Sequence, residues 1–318
     1  MTNMAGPAVR VAGLQKAFRR QVVLDGLDLE IATGSVYALL GPNGAGKTTT
    51  IRILSTLLAP DAGRVEVGGH DVVRDPEGVR AVIGVTGQFS AVDGKLTGAE
   101  NLLLMADLRH LSRPEGRRRV AELLERFELS DAAAKVVSTY SGGMQRRLDL
   151  AMTLVGDPRI IFLDEPTAGL DPRSRRTMWQ IVRELVAAGV TILLTTQNLD
   201  EADELAGRIG VLDRGKLVAQ GTPDELKRLV PGGHLRLHFA DATALVAASR
   251  LLGVSTPDDE SLALEVPSDG TVAGLRATLG RLDDRSIGVE ALTLHAPDLD
   301  DVFLALTSAT RTETDGAR

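Results

Sequence analysis

The chain has 318 residues, of which 43% are hydrophobic, so it can bury one large core and one smaller core. A formal net charge of −7 argues against nucleic acid as a partner, and the absence of cysteine excludes disulfides and thiolate metal sites. Residues 1–10 lack the layout of a secretory signal, and no run approaches the ~18 apolar residues of a spanning helix. We therefore expect a cytoplasmic address and a membrane role only through a partner.

The first 90 residues predict strands of two kinds around one helix. Residues 9–11 and 28–31 alternate apolar with polar side chains, which is typical of half-buried antiparallel strands. Residues 35–40 are apolar throughout and run straight into Gly41, and Lys47 begins a segment with helical spacing. Residues 82–85 predict a further buried strand.

The next segments indicate an α/β domain with a helical insertion. Residues 99–155 are rich in Leu, Ala, Arg and Glu with helical periodicity, which predicts an inserted helical subdomain. Apolar strands at 160–163 and 190–194 flank a helix at 173–188, as in a parallel α/β sheet. A capping box at Thr222, Pro223 and Glu225 starts a helix that stops before Pro231. We place the end of the first domain at residue 230.

The remaining residues alternate strand and helix on a smaller scale. Together with a short strand near Val254, this order predicts a ferredoxin-like βαββαβ domain over 231–308, ending in a helix at 299–306. Residues 309–318 are polar and are expected to form a flexible tail. The strands and helices of this domain are predicted at residues 235–239, 242–252, 262–266, 271–282 and 289–295.

A glycine-rich segment between the strand at 35–40 and the following helix matches a phosphate loop. In such loops the backbone N–H groups and the helix N-terminus surround the phosphates, Lys47 supplies charge and Thr48 a Mg²⁺ ligand. A plain glycine turn before a helix is the alternative, and the strand-loop-helix context disfavours it. The predicted ATP-binding residues here are Gly41, Pro42, Asn43, Gly44, Ala45, Gly46, Lys47, Thr48 and Thr49.

Two acids follow the strand at 160–163. Asp164 can hold Mg²⁺ beside the phosphate loop, and Glu165 is then positioned as the base for the attacking water. Alone, such a pair is more often a strand that runs into solvent, but the phosphate loop favours the functional interpretation.

A third motif, the signature segment, comprises residues 141–145 with the sequence Ser-Gly-Gly-Met-Gln. Its glycines expose N–H groups at the start of a helix that contains Leu148 and Leu150, where an anion would be favoured. On its own the segment could be an N-cap and a turn.

These three motifs together resemble those of ABC ATPases over about the first 230 residues. The resemblance implies a homodimer in which Ser141, Gly142 and Gly143 of one subunit clamp the γ-phosphate of ATP held by the other. It also implies that Asp171 lies at the subunit interface and that Gln88 lies near Mg²⁺ and the attacking water, as a catalytic residue and metal ligand.

Two further positions bear on the site. Phe18 resembles the aromatic residue that stacks on adenine, and a plain core residue is the alternative. Gln197 stands where most ABC ATPases have a switch histidine. Its amide can still donate to the γ-phosphate but cannot be protonated, so we expect hydrolysis that is slower and less sensitive to pH.

Two segments are similar to those of daunorubicin and doxorubicin resistance ATP-binding subunits. They are residues 195–203, with the sequence Thr-Thr-Gln-Asn-Leu-Asp-Glu-Ala-Asp, and residues 297–306. This closer resemblance extends to nearly the whole chain. It implies a peripheral ATPase at the cytoplasmic face of the cell membrane that drives drug efflux and self-resistance through a separate multi-helix permease.

Other classes remain open at this stage. An exporter of another cargo, such as lipid or polysaccharide, would have the same motor, because the cargo pathway belongs to the membrane partner. Non-transport ABC ATPases usually carry coiled coils, zinc cysteines or two fused ATPase domains, which this sequence lacks. A phosphate-loop GTPase or kinase would carry an Asn-Lys-x-Asp element or a substrate lid instead of the signature segment.

Overall fold

The computed structural model describes residues 6–87, 91–229, 233–254, 262–268, 271–295 and 298–306. The chain folds as two compact units, Met1–Pro223 and Asp224–Arg318. The division lies a few residues before the boundary predicted at 230, so most of the helix that begins at Pro223 falls in the second unit. Leu226 of that helix is buried, as expected of a helix that is part of a folded unit.

The first unit contains two sheets, seven α-helices and three short 3₁₀ helices among its described residues. Its elements in chain order are β1 (Val9–Phe18), β2 (Gln21–Ile31), β3 (Val36–Leu40), α1 (Lys47–Leu54), β4 (Ala62–Val67), β5 (His70–Asp71), α2 (Pro76–Val82), β6 (Ile83–Thr86), α3 (Gly98–Leu108), α4 (Arg113–Arg126), α5 (Gly142–Thr153), β7 (Ile160–Asp164), α6 (Pro172–Ala187), β8 (Thr191–Thr196), α7 (Leu199–Leu205), β9 (Arg208–Asp213) and β10 (Lys216–Gly221).

The first sheet is antiparallel and has the order β2-β1-β4-β5. Val9 of the central strand β1 pairs with Ile31 on one side and with Val67 on the other. Buried and exposed residues alternate along the start of β1, which confirms the predicted half-buried strand. This sheet therefore has one face toward the core and one toward solvent.

The second sheet has six strands in the order β10-β9-β3-β8-β7-β6, and all are parallel except β10. Strands β3, β7 and β8 are buried along their whole length, because both faces of a parallel sheet are covered. The strands predicted at 35–40, 82–85, 160–163 and 190–194 are all present.

The core of the first unit is built from residues of both sheets and of α1. Fully buried side chains include Leu27 from β2, Leu39 from β3, Ile53 from α1 and Phe162 from β7. Burial of apolar area at about 25 cal/mol per Å² makes this core the main source of stability. It thereby fixes the strand ends on which the site is built.

Helices α3, α4 and α5 occupy the stretch between β6 and β7, where the sequence predicts a helical insertion. Both α3 and α4 begin with a capping box, formed by Thr97 with Glu100 and by Ser112 with Glu115. Such boxes satisfy backbone N–H groups that have no partner in the first turn. The helix starts are therefore encoded locally.

The second unit contains α8 (Pro223–Lys227), β11 (Gly233–His238), α9 (Ala242–Leu252), β12 (Ala263–Ser268), α10 (Val272–Asp283) and β13 (Ala291–His295). Its antiparallel sheet has the order β12-β11-β13. Its core joins Leu235 and Leu237 of the sheet to Leu245 and Leu282 of the two longer helices.

Some predictions for this unit fall outside the described residues. Val254 itself is not in a strand, and residues 255–261 next to it lie outside the described part of the chain, as does the predicted tail at 309–318. Residues 299–306 are helical, as predicted, with Leu299 and Val302 buried. Among all the described helices, none is both long and apolar enough to cross a membrane.

Candidate functional site

The predicted site residues gather at the carboxyl ends of three neighbouring strands. In the parallel sheet β8 lies between β3 and β7. The phosphate loop follows β3, Asp164 and Glu165 stand at the end of β7, and Gln197 follows β8. This edge is where open α/β sheets bind their ligands, so the topology alone brings the three motifs together.

The phosphate loop can form only because its glycines lack side chains. Gly46 has a φ of 114°, and a Cβ there would lie 2.7 Å from Leu24 Cδ2. A Cβ on Gly41 would lie 2.3 Å from the carbonyl oxygen of Leu212. Gly46 is also the N-cap of α1, so Thr48 and Thr49 stand in the first turn of a helix whose N-terminus faces the loop.

A turn from the far side of the sheet braces this loop. The N–H of Gly215, between β9 and β10, donates to the carbonyl of Ala45 at 3.0 Å. The carbonyl of Gly215 accepts from the N–H of Asp25 on β2, also at 3.0 Å. The phosphate loop is thus tied by backbone hydrogen bonds to both sheets.

The side chain of Lys47 is buried at the centre of the site, with only 5% of its surface exposed. Its ammonium donates to the carbonyl of Gly41 at 2.6 Å and to that of Pro42 at 3.1 Å. It also lies 3.7 Å from the Glu165 carboxylate. Burial lowers the pKa of Lys47, and the charges of Glu165 and Asp164 partly offset that effect.

Asp164 is 2% exposed, and its carboxylate accepts a short hydrogen bond from the Thr195 hydroxyl of β8. Glu165 follows it with a φ of 50°, in the left-handed region that side-chain-bearing residues rarely adopt. The N–H of Glu165 donates to the carbonyl of Thr195 at 3.0 Å, which holds this turn in place.

The carboxylate of Glu165 has two partners in the site. The side-chain amide of Gln197 donates to Oε1 of Glu165 at 2.9 Å, and the Lys47 ammonium lies 3.7 Å from the same oxygen. The residue that replaces the usual histidine therefore contacts the predicted general base directly. Asp164, Glu165, Lys47 and Gln197 form one cluster.

The signature segment belongs to a second group of predicted residues. Ser141 is the N-cap of α5, where its hydroxyl accepts from the N–H of Met144 at 3.3 Å, and both Ser141 and Gly142 are exposed. Gly143 is buried, and a Cβ there would lie 2.5 Å from Ser174 Oγ. The Ser174 hydroxyl in turn donates to Asp171 at 2.6 Å.

Asp171 also caps α6, because it accepts from the N–H groups of Arg173 and Ser174. These hydrogen bonds, first of all that from the Ser174 side chain, lower the pKa of Asp171. Phe18 at the end of β1 is 44% exposed, with the Lys16 ammonium 5.6 Å from its ring centre, so it is not a core residue. Gln88 lies outside the described residues.

Sequence reasoning missed two charged residues near the site. Arg146 on α5 donates to the backbone carbonyls of Asp164 and Glu165 at 3.0 and 3.1 Å. Glu201 on α7 is 1% exposed, accepts from the indole N–H of Trp179 at 3.4 Å, and has its pKa raised by burial. Both residues sit in polar runs, so their composition indicated a solvated surface and gave no signal of burial.

Proteins similar in sequence to this chain are named as ATP-binding proteins of drug resistance or export. A family model described as "ABC transporter" matches residues 24–168. The daunorubicin resistance ATP-binding protein DrrA3 of Streptomyces coeruleorubidus is 50% identical over 97% of this chain and 98% of its own length. The daunorubicin/doxorubicin resistance ATP-binding protein DrrA of Streptomyces peucetius is 50% identical over 96% and 94%. The Nod factor export ATP-binding protein I of Paraburkholderia xenovorans is 43% identical over 70% and 73%.

A solved structure resembles the first unit. The dimeric, post-hydrolysis structure of the ATP-binding cassette MJ0796 bound to ADP and Pi superposes with a TM-score of 0.62 at 26% identity, covering 67% of this chain and 98% of the other. Together with the relatives this confirms the resemblance found in the sequence. The chain belongs to the ABC transporter family, as an ATP-binding and ATP-hydrolysing subunit in the group that contains the daunorubicin and doxorubicin resistance ATP-binding proteins.

Proposed function

We propose that the chain is the motor of a drug exporter: a homodimer that closes on two ATP molecules and drives a separate membrane permease from the cytoplasmic face. Relatives named for daunorubicin and doxorubicin resistance support the drug cargo, since their similarity extends over both units of the chain. The arrangement of Glu165 between Gln197 and Lys47 is the observation that supports the ATPase mechanism.

In the proposed mechanism Glu165 is the general base for the attacking water. Its carboxylate is held by the Gln197 amide, and the Lys47 ammonium beside it supplies positive charge where the phosphates of ATP would lie. Gly41, Gly44, Gly46 and the N-terminus of α1 form the proposed phosphate cradle, in which a Cβ on Gly41 or Gly46 would clash with neighbouring residues. The residues present fit ATP.

The residues also fit Mg²⁺. The carboxylate of Asp164 is oriented by Thr195, and Thr48 stands exposed at the start of α1. Among the described residues no cluster of three or more His, Cys, Asp or Glu could hold a metal, and Mg²⁺ needs none when phosphates supply the other ligands. Mg²⁺ bound by Thr48, Asp164 and Gln88 would neutralise charge that develops on the phosphates.

The exposed signature segment supports the proposed dimer. Ser141 and Gly142 present the N-terminus of α5 to solvent, where the last phosphate of ATP in a partner subunit could bind. The ATP-binding cassette MJ0796, whose solved structure is a dimer bound to ADP and Pi, resembles this chain, which favours the same arrangement here. Asp171 and Ser174, next to Gly143, would then lie at the subunit interface.

The experiment that tests this proposal measures the molar mass of purified Glu165→Gln protein in solution, with and without ATP and Mg²⁺. Because the variant should bind ATP but hydrolyse it slowly, we expect a monomer alone and a dimer with ATP. The double variant with Lys47→Ala should stay monomeric, since it lacks the phosphate-binding cation. Bound ATP without a dimer, or a dimer that ignores ATP, would contradict the proposal.

A different cargo is the second candidate. The relative named for Nod factor export is 43% identical over 223 residues, which supports export of another cargo, such as a lipid or polysaccharide, as the alternative to a drug. The cargo is decided by the permease. Efflux of doxorubicin from cells that express the chain with its permease, and no efflux with the Glu165→Gln variant, is the expected result for a drug exporter.

A further inference from the structure

The guanidinium of Arg146 is satisfied by five hydrogen bonds, which equals its number of N–H donors. Four of the acceptors are backbone carbonyls. They are Pro166 O at 2.9 Å, Asp164 O at 3.0 Å, Glu165 O at 3.1 Å and Gly87 O at 3.1 Å, and the fifth acceptor is the Asp149 carboxylate at 3.3 Å. The side chain is only 13% exposed, so these bonds are shielded from water.

These contacts join two segments of the site, the end of β7 and Gly87, to one helix. Arg146 lies on α5, one turn after the signature segment begins the same helix at Ser141. Three of its acceptors are the carbonyls of consecutive residues at the end of β7, including both acids of the proposed catalytic site. A rigid-body shift of α5 would therefore act directly on the backbone that carries Glu165.

Asp149 extends this arrangement on the same helix. Its carboxylate is 3% exposed, pairs with Arg146 and accepts from the N–H of Ala91 at 3.1 Å. Gly87 and Ala91, which flank the predicted Gln88 site, are thus both held by residues of α5. The described residues nearest to Gln88 on either side are therefore positioned by α5.

We propose that Arg146 is a positioning residue that couples the two ATP sites of the dimer. This inference rests on the proposed function, in which the signature segment contacts the ATP of the partner while Glu165 acts on the ATP of its own subunit. Because both are attached to Arg146, closure of the signature segment on one ATP sets the position of Glu165 at the other. ATP bound at one site thereby makes the second site competent for hydrolysis.

The neighbouring arginine provides a matched control. Arg147 lies on the same helix but points to the carbonyl of Phe127 at 2.9 Å and to Glu128 at 3.0 Å. Arg147→Ala removes one positive charge, as Arg146→Ala does, but leaves the hydrogen bonds to the end of β7 and to Gly87 intact. Arg146→Lys keeps the charge of Arg146 but has only three donors on one atom, so it cannot reach all five acceptors.

The test measures ATP hydrolysis by the full-length chain as a function of ATP concentration for the wild type, Arg146→Lys, Arg146→Ala and Arg147→Ala. Thermal melting of each variant reports whether it folds, and Arg146→Lys remains decisive if Arg146→Ala does not fold. We expect a Hill coefficient above one for the wild type and for Arg147→Ala. In Arg146→Lys the Hill coefficient should fall to one and kcat should fall by about 100-fold, because a small misplacement of Glu165 is costly.

Three results would overturn the proposal: a wild type without cooperativity, Arg146 variants that keep the wild-type Hill coefficient whatever their kcat, or an Arg147→Ala variant that loses cooperativity equally. The molar mass of the Glu165→Gln protein with ATP, measured beside these assays, shows whether the proposed function or only the coupling through Arg146 is wrong. If that protein forms no ATP-dependent dimer, the proposed function itself is wrong. If it does, only the coupling through Arg146 is wrong.

Discussion

The side-chain amide of Gln197 donates to the Glu165 carboxylate across 2.9 Å, and the Lys47 ammonium lies 3.7 Å from the same oxygen. The proposed base is therefore held between an amide and a cation. A neutral amide in this place orients Glu165 without taking up or releasing a proton. Four predictions test the site and its surroundings.

Replacement of Gln197 by alanine removes the donor to Glu165. We expect kcat for ATP hydrolysis to fall by about 10- to 100-fold with little change in KM, because the base loses its orientation but the phosphate loop is intact. Gln197→His should retain activity and gain a pH dependence near the ordinary histidine pKa of about 6.5. Rates measured from pH 5.5 to 8.5 check both. An alanine variant as active as the wild type would exclude any role of the amide in hydrolysis.

Replacement of Phe18 by alanine removes an exposed aromatic face. Since stacking on a base contributes about 1–3 kcal/mol, we expect KM for ATP to rise about 5- to 150-fold, and KM for GTP to rise equally because every base has a π-face. Phe18→Tyr should bind both nucleotides as the wild type does. Val22→Ala, an exposed apolar change on the neighbouring strand, is the control and should leave both values unchanged. An unaltered KM in Phe18→Ala would place the base elsewhere.

A comparison of alanine variants at two glycines of the phosphate loop, Gly44 and Gly46, distinguishes the effect of backbone strain from that of a steric clash. Both have positive φ, 80° at Gly44 and 114° at Gly46, so alanine at either position costs about 1–3 kcal/mol of strain. Only at Gly46 does the added Cβ meet Leu24, whereas at Gly44 it meets nothing within 4 Å. We expect Gly46→Ala to lower the melting temperature and ATP affinity more than Gly44→Ala. Equal effects would mean that Leu24 yields without cost.

Replacement of Glu201 by glutamine should make stability less dependent on pH. Burial raises the pKa of Glu201 above its ordinary 4.5, so between these two values the folded chain keeps a proton that the unfolded chain has lost. Folding stability therefore falls as pH rises through this window. We expect Glu201→Gln to melt at a higher temperature than the wild type at pH 8, and the difference to shrink toward pH 5.

Two readouts accompany this prediction. Trp179 is the only tryptophan of the chain and donates to Glu201, so its fluorescence should report the titration in the wild type and stay constant in Glu201→Gln. Glu204→Gln on the same helix changes an exposed carboxylate that pairs with Arg183, and is the control. A difference in melting temperature that stays constant with pH would contradict the assigned cause.

The sequence predicted the elements that have a strong local pattern. The buried parallel strands read as apolar runs, and the phosphate loop as a glycine motif between strand and helix, so their positions followed directly. Strand β9 was not predicted, although residues 209–213 are buried, because Gly210 and Asp213 interrupt its apolar run. Short elements such as β5 and α2 depend on pairing and capping within the fold and were also missed.

The contacts of Arg146 lay beyond sequence reasoning for a different reason. Its acceptors are mostly backbone carbonyls as far as 59 positions away, and a carbonyl carries no mark of residue type. Glu201 likewise stands in the acidic run 200–204, and it is buried because α7 packs against α6, β3 and β8. Motifs identify the side chains that would contact a ligand. The residues that hydrogen-bond to the backbone of those motifs can be identified only from the three-dimensional structure.

The backbone bracing of the phosphate loop by Gly215 has a consequence for the rate of nucleotide capture. Because the peptide units of Ala45, Gly215 and Asp25 are already joined, ATP need not order the loop as it binds, and little conformational entropy is lost on association. Amide hydrogen exchange at Gly215 should therefore be slow in the protein alone and change little when nucleotide is added. The loop is therefore preorganised for ATP, and we expect the release of product, not the binding of ATP, to be the slower step.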